Sequence, residues 1–191
     1  MRLFVALEIP SSVRENLAAA IQQMRSIDPQ AKWVRSENLH VTLKFLGETP
    51  AEKLDVLRTS LSAVRSREPL ELNFYGVGFF PNEKRPRVLW AGMASSPNLA
   101  PLADAIDKAT ATLGFPLETR PFTPHLTLAR FNPPGISPQL RVAAAQNASR
   151  EFGALNTAAF HLIHSKLKPT GAEYTTLQSF PFTVEAERAN A

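Results

Sequence analysis

Cysteine is absent from this sequence of 191 residues, which excludes disulfides, thiolate catalysis and thiolate metal sites. Long apolar runs are also absent, because no stretch approaches the ~20 apolar residues of a membrane span. The apolar run 1–10 is short, contains Glu8 and lacks a small-residue cleavage site. It therefore predicts a β-strand and not a secretory signal. We expect a cytoplasmic protein that does not contact a membrane.

The remaining composition is that of an ordinary globular protein, with 44% hydrophobic and 20% charged residues. The length fits one domain, or two small lobes that share a core. A net charge of +4 and a pI of about 9.7 are mildly basic. That charge is compatible with an anionic or nucleic-acid partner but does not establish one.

Two of the four histidines belong to a short pattern that occurs twice, at 40–43 (His-Val-Thr-Leu) and at 125–128 (His-Leu-Thr-Leu). On a β-strand, residues i and i+2 share one face. His40 and Thr42 thus form one imidazole–hydroxyl pair, and His125 and Thr127 form another. The apolar residues between them would point into a core. Chance gives two such pairs on the order of a few per cent of the time, so the pattern indicates function.

The elements around the two copies repeat coarsely along the chain, which predicts a duplicated β-α-β unit. Such a unit would place the two motif strands at symmetric positions, with the histidines facing each other between two lobes. Each half is predicted to contain a strand, a helix and a motif strand: 2–9, 13–26 and 39–46, then 87–92, 97–113 and 121–130.

The rest of the sequence predicts further helices and strands. Capping-box residues precede two of the helices, Ser12 with Glu15 and Thr49 with Glu52. No linker separates the halves, so we expect 1–191 to be one domain of two intertwined lobes, with a disordered tail at 185–191. The further elements are helices at 50–66 and about 138–150 and strands at 70–80, 160–165 and 174–182.

The paired motif has a definite chemistry. An imidazole with a pKa near 6.5 can give or take a proton at neutral pH. Two imidazoles on opposite sides of a phosphodiester can divide the work: one deprotonates the attacking water and the other protonates the departing alkoxide. Threonine hydroxyls can donate to the non-bridging oxygens. This scheme needs no metal ion and no cofactor.

The motifs and their contexts resemble the two-histidine phosphoesterase superfamily. Within it, they are most similar to the branch of bacterial and archaeal RNA 2',3'-cyclic phosphodiesterases, formerly called 2'-5' RNA ligases. The resemblance covers 2–182, essentially the whole chain. The segments and residues that carry it are 38–47, 124–130, 2–7, 87–90, 165–167, Gly171 and Tyr174.

The resemblance implies a bilobal α+β fold in which antiparallel sheets, flanked by helices, line a central cleft. It also implies metal-independent opening of a 2',3'-cyclic phosphate at RNA ends, such as those of tRNA fragments, to leave a 2'-phosphate. His40 would be the proton donor to the 3'-oxygen and His125 the acceptor that activates water, while Thr42 and Thr127 hold the phosphate. The residues by themselves leave the direction of proton transfer open, because the two motifs are equivalent.

Other residues near the motifs have competing interpretations. Phe45 and Arg130 each follow their histidine by five positions and could stack on a base, whereas the alternatives are core packing for Phe45 and a solvated charge for Arg130. Lys44 shares the parity of His40, which would place it near a phosphate, but a solvated lysine is the simpler expectation. His161 and His164 would point to opposite faces of a strand, so we expect no metal pair there.

Three functions remain open besides hydrolysis of RNA cyclic phosphates. The same site could run in reverse and join a 2',3'-cyclic end to a 5'-hydroxyl. A phosphodiesterase for small cyclic nucleotides would use the same chemistry. A non-catalytic module that holds RNA ends would need the cleft but not intact His and Thr pairs. We expect the protein to act as a monomer.

Overall fold

The computed structural model describes residues 1–66, 68–132, 135–169 and 171–182. The tail at 185–191, expected to be disordered, lies outside these residues. Two short 3₁₀ turns accompany the regular elements, at Ser36–Asn38 and Ala51–Lys53. The helices and strands are β1 Arg2–Glu8, α1 Ser11–Ile27, β2 Lys32–Trp33, β3 His40–Glu48, α2 Leu54–Ser62, β4 Leu70–Phe80, β5 Val88–Ser95, α3 Leu99–Ala111, β6 Leu126–Arg130, α4 Pro138–Gln146, β7 Glu151–Thr157, β8 Ala159–Lys168 and β9 Gly171–Pro181.

These strands form two antiparallel sheets. The first has the order β3-β1-β8-β9 and the second the order β2-β6-β5-β4-β7. The duplicated unit is present, because β1 pairs antiparallel with motif strand β3 and β5 pairs antiparallel with motif strand β6. The α+β fold built from two antiparallel sheets is therefore confirmed.

Helices α1 and α3 connect the two sheets, because each packs against the sheet to which its preceding strand does not belong. Helix α1 follows a strand of the first sheet but packs against β7 of the second, and α3 follows a strand of the second sheet but packs against β3 of the first. A continuous apolar cluster includes Leu7 and Val41 from the first sheet and Leu89 and Leu126 from the second. The two halves thus share one core, which is the physical reason that no linker separates them.

The helical faces follow the expected 3.6-residue period, whereas several helix ends differ from the predictions. Helix α1 begins at Ser11 directly after Pro10. The prediction of a capping box formed by Ser12 and Glu15 was wrong, since no side chain caps this end. Its first turn is closed by the Arg14 amide, which donates to the Pro10 carbonyl at 3.0 Å. The buried face of α1 consists of Val13, Leu17, Ala20, Ile21 and Met24.

The helix predicted at 50–66 is shorter than expected. A 3₁₀ turn occupies its start, and α2 ends at Ser62. Thr49 does not cap it, because the Thr49 hydroxyl donates to the Gly47 carbonyl at 3.3 Å. Gly114 lies in the turn after α3 with a positive φ of 86°, and the Ser137 hydroxyl caps α4 by accepting from the Leu140 amide.

Strand β7 was not predicted. It pairs with β4 at the edge of the second sheet, directly after α4, which ends before the expected residue 150. Gly153 lies inside it with φ at 113°, and the burial of its side chains does not alternate regularly. Without an alternating apolar pattern, the sequence carries no local signal for a strand here.

Motif strand β3 contains a β-bulge directly after its threonine. Thr42 and Lys44 oppose consecutive residues of β1, so Leu43 is the extra residue between them. A bulge reverses the alternation of side chains beyond it. Leu43 and Lys44 are accordingly both buried, and Phe45 lies on the surface with 58% of its area exposed.

Motif strand β6 contains the same bulge at the equivalent position. Thr127 and Ala129 oppose consecutive residues of β5, so Leu128 is the extra residue. Leu128 and Ala129 are fully buried, and Arg130 is exposed. The bulge therefore turns the fifth residue after each histidine to the surface that carries the histidine. We call these surfaces the histidine faces: the first carries His40, Thr42 and Phe45, and the second carries His125, Thr127 and Arg130.

The burial of Lys44 is one consequence of the bulge. Lys44 was expected either near a phosphate or in solvent, and both expectations were wrong. Its side chain is only 2% exposed and its Nζ lies 2.5 Å from Asp107 Oδ1, with Glu118 Oε1 at 3.6 Å. The same Nζ donates to the carbonyl of Pro116 at 2.5 Å. The lysine thus ties the first motif strand to α3 and to the segment after it, and it neither faces solvent nor approaches a phosphate.

We predict that Lys44→Met destabilises the protein by about 3 kcal/mol, because removal of one partner leaves a largely buried carboxylate without its cation. Urea unfolding would measure the loss as a lower midpoint at unchanged slope. Lys108→Met is the matched control, since Lys108 pairs with Asp104 at the surface; its midpoint should stay close to that of the parent protein. Equal midpoints for both variants would contradict the buried pair.

Candidate active site

The first histidine is held by its backbone and by two aromatic rings. The Nδ1 atom of His40 lies 2.7 Å from the Asn38 carbonyl oxygen. A carbonyl can only accept, so Nδ1 carries the proton and Nε2 is left for a substrate. The imidazole packs against Phe4 at 4.6 Å and Tyr174 at 5.3 Å between ring centroids. These contacts fix both the tautomer and the orientation of the ring.

The second histidine is held in the same way. The Nδ1 atom of His125 lies 2.8 Å from the carbonyl oxygen of Thr123, again two residues before the histidine. The ring of Phe80, the last residue of β4, meets the imidazole edge-on at 5.2 Å. Each motif therefore offers an imidazole with Nδ1 protonated and Nε2 available.

The threonines lie where the alternation predicts. Thr42 and Thr127 are half-buried beside their histidines, whereas the interleaved Val41 and Leu126 are fully buried in the shared core. Burial of the apolar residues thus forces His and Thr to the opposite surface of each sheet. The predicted imidazole–hydroxyl pairs are present on both histidine faces.

Burial breaks the equivalence of the two sites. It lowers the pKa of His40 below its ordinary value of 6.5, and the hydrogen bond with the Asn38 carbonyl offsets part of that change. Because the charged form is the one that burial disfavours, the unliganded His40 imidazole is neutral at pH 7. An anion bound beside it would favour the protonated form.

The two sheets lie close enough for a charged residue of the second sheet to affect the pKa of a residue in the first. Burial raises the pKa of the Tyr174 phenol, and the positive charges of Arg2 and Arg130 counteract part of that rise. Arg130 belongs to β6, so its charge reaches a residue of β9 in the other sheet. The Cα atoms of the motif strands β3 and β6 also come within 8 Å of each other. The two motifs are thus neighbours, although no hydrogen-bonded ladder joins their strands.

A pocket borders each histidine. The pocket beside His125 has a volume of about 350 Å³ and the pocket beside His40 about 160 Å³. Neither of these two pockets is bordered by both histidines. Phe45 and Arg130 border neither pocket; both are exposed on the histidine faces, so core packing of Phe45 was the wrong alternative.

Comparison with known proteins assigns the chain to a family. A family model described as LigT-like phosphoesterase matches residues 7–90 and 93–174. The chain belongs to the LigT-like phosphoesterase family. It is 36% identical to the RNA 2',3'-cyclic phosphodiesterase of Archaeoglobus fulgidus, over 94% of this chain and 99% of that protein.

Solved structures support the same assignment to the LigT-like phosphoesterases. A crystal structure of a Thermus thermophilus protein matches with a TM-score of 0.76 and 33% identity, over 97% of this chain and 100% of that one. The structure of Escherichia coli LigT complexed with 3'-AMP matches with a TM-score of 0.74 and 29% identity, over 95% of this chain and 98% of that one.

The other two histidines of this LigT-like phosphoesterase do not form a site together. His161 pairs with Ala6 on the first histidine face, whereas His164 pairs with Leu3, a residue of the core. They therefore point to opposite faces of β8, as predicted. Within the described ranges, no group of three His, Cys, Asp or Glu side chains could hold a metal ion, and no helix is long and apolar enough to cross a membrane.

Several residues of the candidate site were not assigned to it from the sequence. Phe4 and Phe80 support the imidazoles, and Glu8 and Trp90 border the pockets. The one available signal was their position: Glu8 ends β1 opposite His40, and Trp90 opposes Thr127. The pairing register of the strands determines which residues lie opposite each other at these positions. That register in turn depends on the bulges in the motif strands.

We predict that the His40 imidazole titrates with a midpoint below 6.5 in the unliganded protein, because burial disfavours its charged form. The chemical shifts of the ring, followed by NMR as a function of pH, measure the midpoint. The signal is assigned by its loss in His40→Gln. A midpoint at or above 6.5 would contradict the effect of burial.

Proposed function

We propose that this protein opens the 2',3'-cyclic phosphate at the end of an RNA by hydrolysis and leaves a 2'-phosphomonoester. The observation that carries the proposal is the matched pair of imidazoles, each with Nδ1 bound to a backbone carbonyl and each beside a threonine. The name of the Archaeoglobus fulgidus relative and the 3'-AMP bound to Escherichia coli LigT support this substrate class.

In the proposed mechanism, the phosphate lies between the two histidine faces. His125 takes a proton from water through Nε2, and the water oxygen attacks phosphorus. The bond between phosphorus and the 3'-oxygen breaks on the opposite side, and protonated His40 gives its Nε2 proton to that oxygen. Thr42 and Thr127 donate to the non-bridging oxygens, whose charge grows during attack. The 2'-oxygen keeps the phosphate, and no metal ion takes part.

The burial of His40 supports its role as the acid in a specific way. A proton donor must be charged, yet the unliganded imidazole is neutral at pH 7. The negative phosphate supplies the opposite charge that raises the pKa of His40 when substrate binds. Binding of the substrate would therefore favour the protonated form of His40. Activity should then fall as the pH rises through the pKa of His40 in the complex.

Recognition of the nucleoside would use the exposed residues of the histidine faces. Phe45 offers a face for stacking, and the Arg130 guanidinium lies close enough to influence Tyr174. Aromatic and guanidinium planes are the usual partners of unstacked RNA bases. Because each catalytic step is reversible, the same groups could join a 2',3'-cyclic end to a 5'-hydroxyl.

We predict turnover of an oligonucleotide ending in a 2',3'-cyclic phosphate after exhaustive treatment of the protein with EDTA. The product should carry a 2'-phosphate, identified by its chromatographic separation from the 3'-isomer. Dependence on an added metal ion would overturn the mechanism. Binding of the oligonucleotide without turnover would favour a module that only holds RNA ends.

We predict that His40→Ala and His125→Ala each lower kcat by about 10²–10⁴-fold, because each removes one proton transfer. The double variant should lose less than the product of the two, since the groups act as a unit. His164→Ala is the matched control, because His164 lies on the opposite face of its strand, and it should keep its activity. A single variant of the pair that remains fast would exclude its histidine from proton transfer.

A further inference from the structure

Two exposed cations lie side by side on the second histidine face. Lys32 of β2 directly opposes Arg130 of β6, and residues opposite each other in an antiparallel pair point to the same surface of the sheet. Trp33, the next residue, opposes the buried Ala129 and packs against the shared core, which turns Lys32 to the other side. Lys32 thus extends the second histidine face by one strand, to the edge of its sheet.

No carboxylate within the described part of the chain neutralises these two charges. The ion pairs found there involve neither Lys32 nor Arg130, whereas the exposed Lys168 of β8 has Glu173 at 2.6 Å. Like charges directly opposite each other on a sheet are destabilising. The pair therefore lowers the stability of the unliganded protein, and a bound anion would remove that cost.

The two cations lie near the proposed phosphate position but beyond it. Arg130 follows Thr127 by three positions on β6, which corresponds to at most about 10 Å along the strand, and Lys32 lies about 5 Å further, on the neighbouring strand. The charge of Arg130 counteracts part of the rise in the pKa of Tyr174, in the first sheet. Residues 34–39 connect β2 to motif strand β3. Lys32 is therefore placed between the two motif strands, for an anion next to the one that the threonines would hold.

The cyclic phosphate does not account for a second anion. It carries one negative charge, and in the proposed mechanism Thr42 and Thr127 donate to its non-bridging oxygens. A single nucleoside 2',3'-cyclic phosphate has no other charged group, so it leaves Lys32 without a partner. In an RNA strand, the next negative charge belongs to the phosphodiester on the 5' side of the terminal nucleoside. A lysine ammonium binds such a phosphate as a point charge, whatever the base sequence.

We propose that Lys32, beside Arg130, binds the phosphodiester on the 5' side of the terminal nucleoside, and that this contact makes the protein select an RNA strand over a single cyclic nucleotide. The inference rests on the proposed function and identifies its substrate as an oligonucleotide. Lys32 contacts no reacting atom in this scheme. It contributes to binding and specificity, while the proton transfers stay with His40 and His125.

The first experiment compares a substrate that has this phosphodiester with one that lacks it. The value of kcat/KM is measured for adenylyl-(3'→5')-adenosine 2',3'-cyclic phosphate and for adenosine 2',3'-cyclic phosphate. Lys32→Gln should lower the ratio of the two values about tenfold, because a charge-assisted contact is lost. Lys32→Arg keeps the charge and should keep most of the ratio. Lys108→Gln is the matched control, since Lys108 lies on the surface of α3 and pairs with Asp104; its ratio should equal that of the parent protein.

A neutral linkage shows whether Lys32 recognises the charge of that phosphate. In a second dinucleotide, a methylphosphonate replaces the internal phosphodiester and removes its negative charge. The parent protein should lose about tenfold in kcat/KM on this substrate, and Lys32→Gln should lose nothing further, because the two changes remove the same contact. A further tenfold loss in Lys32→Gln would contradict a contact with this phosphate.

Two other results would overturn the inference. An unchanged ratio in Lys32→Gln would show that Lys32 does not contact the internal phosphate of the dinucleotide. An equal fall of kcat/KM on both cyclic phosphates would place the effect of Lys32 at the reacting phosphate or in the fold. Parent protein that turns over neither cyclic phosphate would overturn the proposed function instead, and binding would then decide the role of Lys32.

A binding measurement tests Lys32 without turnover. The Kd of a fluorescent oligoadenylate that ends in a 2'-phosphate, the product of the proposed reaction, is measured at several salt concentrations. For single strands, each phosphate contact contributes about 0.7 to the slope of log K against log salt. Lys32→Gln should reduce the magnitude of the slope by about that amount, and Lys108→Gln should leave it unchanged. Equal slopes for Lys32→Gln and the parent protein, or no saturable binding, would overturn the inference whatever the catalytic result.

Discussion

The antiparallel pairing of each motif strand with the first strand of its unit is the constraint on which the rest of the structure depends. Val41 and Leu43 must be buried in the core shared by both sheets, and this burial forces His40 and Thr42 to the other surface. The bulge that follows then reverses the alternation, so the fifth residue after the histidine returns to the same surface. Repetition of this arrangement in the second sheet produces two equivalent histidine faces.

The two histidine faces are equivalent in backbone position but differ in the chemical surroundings of their imidazoles. Both rings have Nδ1 on a carbonyl and an aromatic neighbour, which leaves both Nε2 atoms free for the proposed proton transfers. Burial against Phe4 and Tyr174 makes one imidazole hard to charge in the absence of an anion. The other borders a wide aromatic pocket. A duplicated unit has thus acquired different surroundings at its two copies, and this difference suits the acid and the base of the proposed mechanism.

The shared core explains how two sheets can hold between them the phosphate of the proposed mechanism. Helix α1 packs on the sheet that it does not belong to by sequence, and so does α3. Lys44 adds a buried ion pair between the first motif strand and α3. Relative movement of the sheets would disrupt these contacts together, so they keep the two motifs at a constant separation. Such precise placement is what proton transfer to a single phosphate demands.

The sequence by itself determined the paired motif, the duplicated unit, the apolar helix faces and the surface on which His and Thr lie, because these follow from short periodicities along the chain. Only the tertiary structure decided the bulges, the burial of Lys44, the exposure of Phe45 and the different pockets. Lys44 meets Asp107 across 63 positions of sequence, and strand β7 exists because β4 offers it an edge. Contacts between distant segments leave no local pattern, so they could not be predicted from the sequence.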